Sequence, residues 1–339
     1  MGLSGFYQLL KKQGCYTPSE ICLEDLRGKT IAIDGDFVMY IALHGHTKGI
    51  TVTAVDIAKP ISKWLDLAQC AGIHTIFVTT GGPPPVEKQT HCSVLRKRKR
   101  DRQQERIDEL EQSLVSLVDD IGEAVCVRDK ICRMQNNIRC ISGTMSQSVV
   151  DILLAEGKNC VQAKSEADFM LVMLSEEHKC DYVATDDADI IVAGAEHVLR
   201  GFVRMLTDSK AIGKVYCRSD IMACLKLSSE SLLQLGTLLS CDYQPPITNV
   251  GPVTAFRMIQ QYGTVDKFLL SDVFDTQTKS KKRKYTLPTG MSRDTYITSS
   301  SRSVDIFRSR PDREISSDTV VDPCVVPVCV GISQTTGDV

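Results

Sequence analysis

Four short apolar runs, at 30–34, 74–79, 181–185 and 197–205, alternate with stretches of helical period such as 144–156 and 166–176. Runs of this length read as buried strands, and strands separated by helices pair in parallel, because parallel neighbours need a long crossover between them. The chain is therefore expected to be an α/β protein with a mostly parallel, twisted sheet and flanking helices. In open sheets of this kind ligands bind outside the carboxyl ends of the strands. Acids gather at those ends. Asp34 and Asp36 close Ile31-Ala32-Ile33, Asp187 and Asp189 follow Tyr182-Val183-Ala184-Thr185, Glu166 and Asp168 precede the helix that starts near Phe169, and Asp242 follows Leu238-Leu239.

One such acid alone would be a solvated loop residue or a helix cap. Seven at element ends point to one site for a hard cation, since Mg²⁺ takes oxygen ligands and is held by a few carboxylates together with substrate phosphates. Phosphodiester chemistry follows as the leading reading. Glu166 and Asp168, two residues apart, fit a loop-to-helix corner better than one helical face.

The balance of charge narrows the partners. The chain of 339 residues has a net charge of only -2, so affinity for nucleic acid has to come from a local cluster. Arg96-Lys97-Arg98-Lys99-Arg100-Asp101-Arg102 is such a cluster, and it leads into a helical pattern of Ile107, Leu110, Leu114 and Leu117. Arg98, Arg102 and Arg106 share a face of that helix. The segment is either a phosphate-neutralising surface or a solvated face or localisation signal. The 14 cysteines are scattered, without Cys-x-x-Cys pairs or zinc-ligand spacing, and read as reduced core thiols. Lys11 and Lys12 argue against a signal peptide, no run reaches the roughly 20 apolar residues of a bilayer span, and Phe6 stands where a myristoylation motif needs Ser or Thr. A soluble protein with no membrane role is expected. Beyond Leu270 the chain is rich in Ser, Thr and charge, including Lys279-Ser280-Lys281-Lys282-Arg283-Lys284, and reads as a mobile tail over 271–339.

Taken in order, several motifs resemble the flap endonuclease group of structure-specific 5′ nucleases, the XPG family. They are Met1-Gly2-Leu3-Ser4-Gly5-Phe6, Ile31-Ala32-Ile33-Asp34 with Tyr40, Gly81-Gly82-Pro83-Pro84, and the basic segment. They continue with Ser165-Glu166-Ala167-Asp168, Ala184-Thr185-Asp186-Asp187-Ala188-Asp189, and Asp242-Tyr243 with Val250-Gly251-Pro252 and Ala255. The resemblance implies a PIN-like core of 1–90 and 144–270, a basic helical arch over 91–143 and a helix-two-turn-helix element. It implies that Asp34, Glu166, Asp168, Asp187, Asp189 and Asp242 hold two Mg²⁺ ions, for which Mn²⁺ can substitute. Lys88, Arg96 and Arg100 correspond to arch cations that orient the scissile phosphate. Gly2, Tyr40, Arg98, Arg102, Asn249, Val250 and Gly251 correspond to DNA contacts, with Tyr40 stacked on a base and the turn at 249–251 offering backbone amides to the duplex. The substrate implied is DNA with a 5′ flap or junction, cut by a monomer during replication, repair or recombination, in the nucleus.

Three departures stand out. The family writes Phe-Asp-Gly before its Pro-Pro, whereas this chain has Thr79-Thr80-Gly81, so one carboxylate is missing. Asn249 replaces a glycine, which is tolerable because Asn visits left-handed backbone conformations, and Pro246 replaces a small polar residue. The tail carries no convincing sliding-clamp motif. Two other readings compete. A haloacid-dehalogenase-type phosphohydrolase would use Asp34 of Asp34-Gly35-Asp36 as a covalent nucleophile, but leaves Glu166, Asp168, Asp242 and the 249–252 turn without a role. A non-catalytic, nucleic-acid-binding relative would fit the loss at Thr80, yet so many close carboxylates are costly unless a cation sits among them.

Overall fold

Ile31, Ala32 and Ile33 are almost wholly buried, and their run becomes the centre of a seven-stranded sheet. The computed structural model describes residues 3, 5–45, 52–115, 121–275 and 285–309. Its strands are β1 (Ser19–Ile21), β2 (Thr30–Asp34), β3 (His74–Thr79), β4 (Cys160–Gln162), β5 (Tyr182–Ala184), β6 (His197–Arg200) and β7 (Gly213–Cys217). They lie in the order β1-β7-β6-β5-β2-β3-β4. The five strands from β6 to β4 run parallel, with Asp34 beside Val78 of β3 and Ile33 beside Ala184 of β5, so β2, β3 and β5 end on one edge. β7 and β1 add an antiparallel margin.

In chain order the helices are α1 (Phe6–Gln13), α2 (Gly35–Gly45), α3 (Ala54–Cys70), α4 (Val86–Lys88), α5 (Val94–Val115), α6 (Ile121–Ile138), α7 (Gly143–Ala155) and α8 (Ala167–Glu176). They continue as α9 (Asp189–Ala193), α10 (Phe202–Thr207), α11 (Arg218–Leu225), α12 (Ser229–Leu238), α13 (Pro252–Tyr262), α14 (Val265–Leu269) and α15 (Arg293–Arg308). Two apolar cores flank the sheet. One holds Trp64 and Ile61 of α3 with Val149 and Leu153 of α7; the other joins α1, α8 and α9 to α12–α15. Gly5, at φ 78°, ties the N-terminus to the second core, where an added Cβ would lie 2.4 Å from Pro252 Cγ.

The strands expected at 30–34, 74–79 and 181–185 form, but the run at 197–205 does not stay extended. β6 stops at Arg200, Gly201 turns at φ 85°, and α10 begins. Phe202, Met205 and Leu206 recur at helical spacing and are buried together, which outweighs the β-like composition of the run. Leu117 lies outside the described residues. The cysteines also depart from expectation: Cys15 and Cys224 are joined in a disulfide with Cα atoms 5.7 Å apart. A separation of 209 residues conceals that pair from any reading of spacing. Four of the free thiols, Cys70, Cys126, Cys132 and Cys140, are exposed rather than in the core.

The expected tail needs the largest correction. Tyr285 is buried against Phe268 and Phe274, and α15 packs Tyr296, Val304 and Phe307 into the second core. Tyr296 donates its hydroxyl to the Pro245 carbonyl at 2.8 Å. The polar composition concealed a helical stripe of buried Tyr296, Ser300, Ser303, Val304 and Phe307, in which serines fill positions that apolar residues usually hold. The basic run at 279–284 lies outside the described residues. Phe307→Ala should therefore destabilise the protein by about 3–5 kcal/mol, measured as a shift of the urea midpoint. A tail would show no shift.

Candidate active site

The acids converge because the parallel strands end together. Asp34 is the last residue of β2, and both of its oxygens are engaged: Phe37 N–H donates to Oδ1 at 3.0 Å and Thr185 Oγ1 to Oδ2 at 2.7 Å. Thr185 in turn accepts from the Asp187 N–H at 3.1 Å, and Asp187 Oδ1 accepts from the Asp189 N–H at 3.1 Å. The loop after β5 is thus folded on its own side chains. Glu166 and Asp168 occupy the start of α8, and Tyr243 donates its hydroxyl to Glu166 Oε2 at 2.7 Å. Asp34, Glu166, Asp168 and Asp187 border a cavity of about 300 Å³ together with Asp36, Thr80, Tyr40 and Asp242, whereas Asp189, Thr185 and Tyr243 stand behind its wall.

α4 and α5 reach this cavity with two cations. α4 carries Lys88, whose ammonium pairs with Glu166 and lies 3.4 Å from Asp242. Arg96, in the first turn of α5, places Nη2 at 3.0 and 2.8 Å from the two oxygens of Asp242. Between them Cys92 donates its thiol to Asp242 Oδ1 at 3.1 Å. Two cations cannot neutralise so many acids, and the protonation of the acids shows it. Burial, reinforced by the charges of Asp36 and Asp187, pushes the Asp34 carboxyl up to about 7 despite the hydrogen bonds from Phe37 and Thr185. Burial raises Asp168 and Asp189 well above the ordinary carboxylate range, with Asp187 the leading acidic neighbour of each. Burial would also raise Asp242, but Lys88 and Arg96 outweigh it and hold its carboxyl low. Burial alone would lower Lys88; the surrounding Asp168, Glu166 and Asp242 raise it instead.

A metal fits this set of groups. Asp189 Oδ1 is buried with no hydrogen-bond partner among the described residues, a cost of about 1–3 kcal/mol that a bound cation would relieve. All the donors are hard oxygens, as Mg²⁺ and Mn²⁺ prefer. The carboxylates stand around the cavity rather than at one point. Among the described residues the one trio of ligand-type atoms within 4.8 Å of one another is Glu196, His197 and Cys217, at the opposite end of the sheet.

The other expected site residues divide cleanly. Tyr40 borders the cavity, 45% exposed, with its ring tilted at 47° against His44 and the ring centroids 4.2 Å apart. Arg98 and Arg102 line a separate depression on the arch with Leu95, Lys99, Arg106 and Met134, and Arg100 does not border the acidic cavity. Asn249 adopts φ 66°, Val250 is buried, and Gly251 caps α13 with Pro252 in the first turn, so the turn forms as expected but away from the acids. Gly2 lies outside the described residues. Sequence reasoning gave no roles to Thr185, Tyr243 and Cys92. Thr185 and Tyr243 adjoin acidic motifs, which was an available signal; Cys92 had none.

Comparison with known proteins agrees with this geometry. The XPG N-terminal domain matches residues 1–105 and the XPG I-region matches 157–242. The chain is 30% identical over 287 residues to flap endonuclease 1 of Entamoeba histolytica, covering 81% of this chain and 71% of that protein. Flap endonuclease 1 of Theileria parva is 26% identical over 79% of this chain and 53% of its own length. Among solved structures, the catalytic core of Rad2 in complex with DNA substrate superposes with a TM-score of 0.61 at 20% identity over 92% of this chain and 87% of that one. Flap endonuclease-1 from Methanococcus jannaschii gives 0.52 at 16% identity, over 86% and 96%. The folds are therefore shared. The chain belongs to the XPG family of structure-specific 5′ nucleases, alongside the flap endonucleases, and the phosphohydrolase reading falls away.

Without metal, the raised carboxyls make stability depend on pH in an unusual direction. Asp34 titrates at 3.8 in an ordinary environment and at about 7 when folded. Between those values the folded chain binds more protons than the unfolded one, so its stability falls as pH rises. Asp168 and Asp189 act in the same sense. Thermal melts in chelator should show this decline, Asp34→Asn should make it shallower, and saturating Mn²⁺ should offset it by taking the place of the protons.

Proposed function

We propose that this protein is a metal-dependent endonuclease that hydrolyses DNA phosphodiesters at 5′ flaps or junctions, with two Mg²⁺ ions held by Asp34, Glu166, Asp168, Asp187, Asp189 and Asp242. The observation that carries the reading is the acidic cavity at the carboxyl ends of β2 and β5, with Lys88 and Arg96 of the arch pointing into it. When bound, two divalent cations would supply activation of the attacking water and charge stabilisation for the attacking and leaving oxygens. The chain's own residues do the positioning. Lys88 and Arg96 are paired with Glu166 and Asp242; cations bound to those acids would release both side chains toward the scissile phosphate, where fixed positive charge lowers the barrier. Thr185 and Tyr243 hold Asp34 and Glu166 in place.

Tyr40 offers an exposed ring at the cavity mouth, suited to stacking on an unpaired base. Asn249, Val250 and Gly251 lead into α13, whose first-turn amides suit a duplex phosphate. Arg98, Arg100 and Arg102 lie along the arch outside the cavity, where they fit phosphates of the single strand rather than the bond that is cut. Mn²⁺ substitutes for Mg²⁺, the protein acts as a monomer in DNA replication or repair, and its place is the nucleus. No helix among the described residues is long and apolar enough to cross a membrane.

A 5′-labelled flap, incubated with Mg²⁺ beside bubble, four-way and linear DNA, tests the proposal. Asp187→Ala should lower the single-turnover rate by about a thousandfold or more while the circular dichroism spectrum shows the fold intact. Arg96→Ala should cost at least about a hundredfold in the same rate with little loss of duplex affinity. Replacing Arg98 and Arg102 by Ala should instead weaken binding and flatten its salt dependence. Cleavage that persists in excess chelator would exclude the two-cation reading.

A further inference from the structure

Around the cavity, carboxylates come from the end of β2, the loop after β5, the start of α8 and Asp242, but the end of β3 supplies none. Its residue there is Thr80, and Thr80 is committed elsewhere: its hydroxyl accepts the N–H of Ala167 at 3.0 Å, capping the first turn of α8. Glu166, the residue at the cap position, gives α8 no side-chain cap of its own. Thr80 thus fixes the helix start that presents Glu166 and Asp168, and at the cavity wall its hydroxyl is shared between that N–H and the Asp36 carboxylate.

Asp36 occupies the sector that β3 leaves bare. The strand does not continue past Asp34; the chain turns at Gly35 directly into α2. A Cβ at Gly35 would lie 2.6 Å from the Val78 carbonyl and 2.7 Å from Thr79 Cγ2, so glycine lets α2 start hard against the end of β3. The first turn of α2 therefore sets Asp36 over β3, where its Oδ1 accepts the Thr80 N–H at 3.4 Å. Asp36 is half-buried and borders the same cavity as Asp34, Glu166 and Lys88. We propose that Asp36 supplies to the cation site the carboxylate that position 80 lacks, so that the acid has moved from the end of β3 to the first turn of α2 while Thr80 has become a helix cap.

The proposal rests on the two-cation reading above, and Mn²⁺ binding to the full chain, followed by the electron paramagnetic resonance of the free ion, tests the two separately. Wild type should bind Mn²⁺, and Asp187→Asn should weaken it. Asp36→Asn, which keeps the shape of the side chain, should weaken binding about tenfold or more, whereas Asp186→Asn, removing an equal charge from an acid already paired with Arg200, should weaken it much less. Asp36→Asn/Thr80→Asp returns the charge to β3 and should regain most of the lost affinity. That double variant also carries the test if the single one fails to fold. An Asp36→Asn protein that binds Mn²⁺ like wild type while Asp187→Asn does not would overturn the relocation and leave the two-cation reading standing. Equal losses in Asp36→Asn and Asp186→Asn, or no recovery in the double variant, would overturn it as well. No Mn²⁺ bound by wild type would remove both.

Discussion

Mutual repulsion among carboxylates gathered at one edge of a parallel sheet is the constraint around which this molecule is arranged. Each acid is placed by an ordinary device: a strand end for Asp34, a helix start for Glu166 and Asp168, and a self-bonded loop for Asp187 and Asp189. Burial then makes their charges expensive. In the absence of metal the protein meets that cost in two ways. Lys88 and Arg96 enter the cavity from the arch, and the deepest acids retain protons far above the usual range. A divalent cation, on the proposed reading, would take over both tasks, since carboxylates must lose their protons to ligate it.

The same constraint links the arch to the chemistry. An arch anchored on Asp242 through Arg96 and Cys92 is held down over the acids by the charge that a cation would neutralise. On the proposed reading, a cation bound at Asp242 would free the basic side chains paired there, so that metal binding and the handling of the phosphate would be coupled. The remaining basic residues of the arch have no such tie. Arg98 and Arg102 line a different surface of the helical hairpin, apart from the acidic cavity.

The C-terminal part of the chain contributes to the site by packing. Tyr243, which holds Glu166, is itself braced edge-on by Phe307 of α15 at 5.4 Å, and Ser303 donates to the Tyr243 carbonyl at 3.3 Å. Asp242 is the neighbour of that tyrosine. Loss of α15 would therefore loosen two of the acids as well as the core.

By itself the sequence determined the class of fold, because the alternation of apolar runs with helical period admits few other arrangements, and it singled out, by their places at the ends of those runs, acids most of which border one cavity. The left-handed turn at Asn249 was legible for the same local reason: few residues tolerate it. What only the tertiary structure decided depends on side-chain direction and on distant pairing. That Arg96 reaches Asp242 while Arg100 does not follows from the phase of α5 relative to a turn 146 residues away. The burial of α15 was concealed because serines occupy part of its core face. The Cys15–Cys224 pair joins residues 209 apart in sequence. Thr80 and Asp36 show the limit most clearly. Read along the chain, one is a missing acid and the other a spare one; only the close approach of Gly35 to β3 puts them side by side, because a helix start packed against a strand end brings together residues 44 apart in sequence.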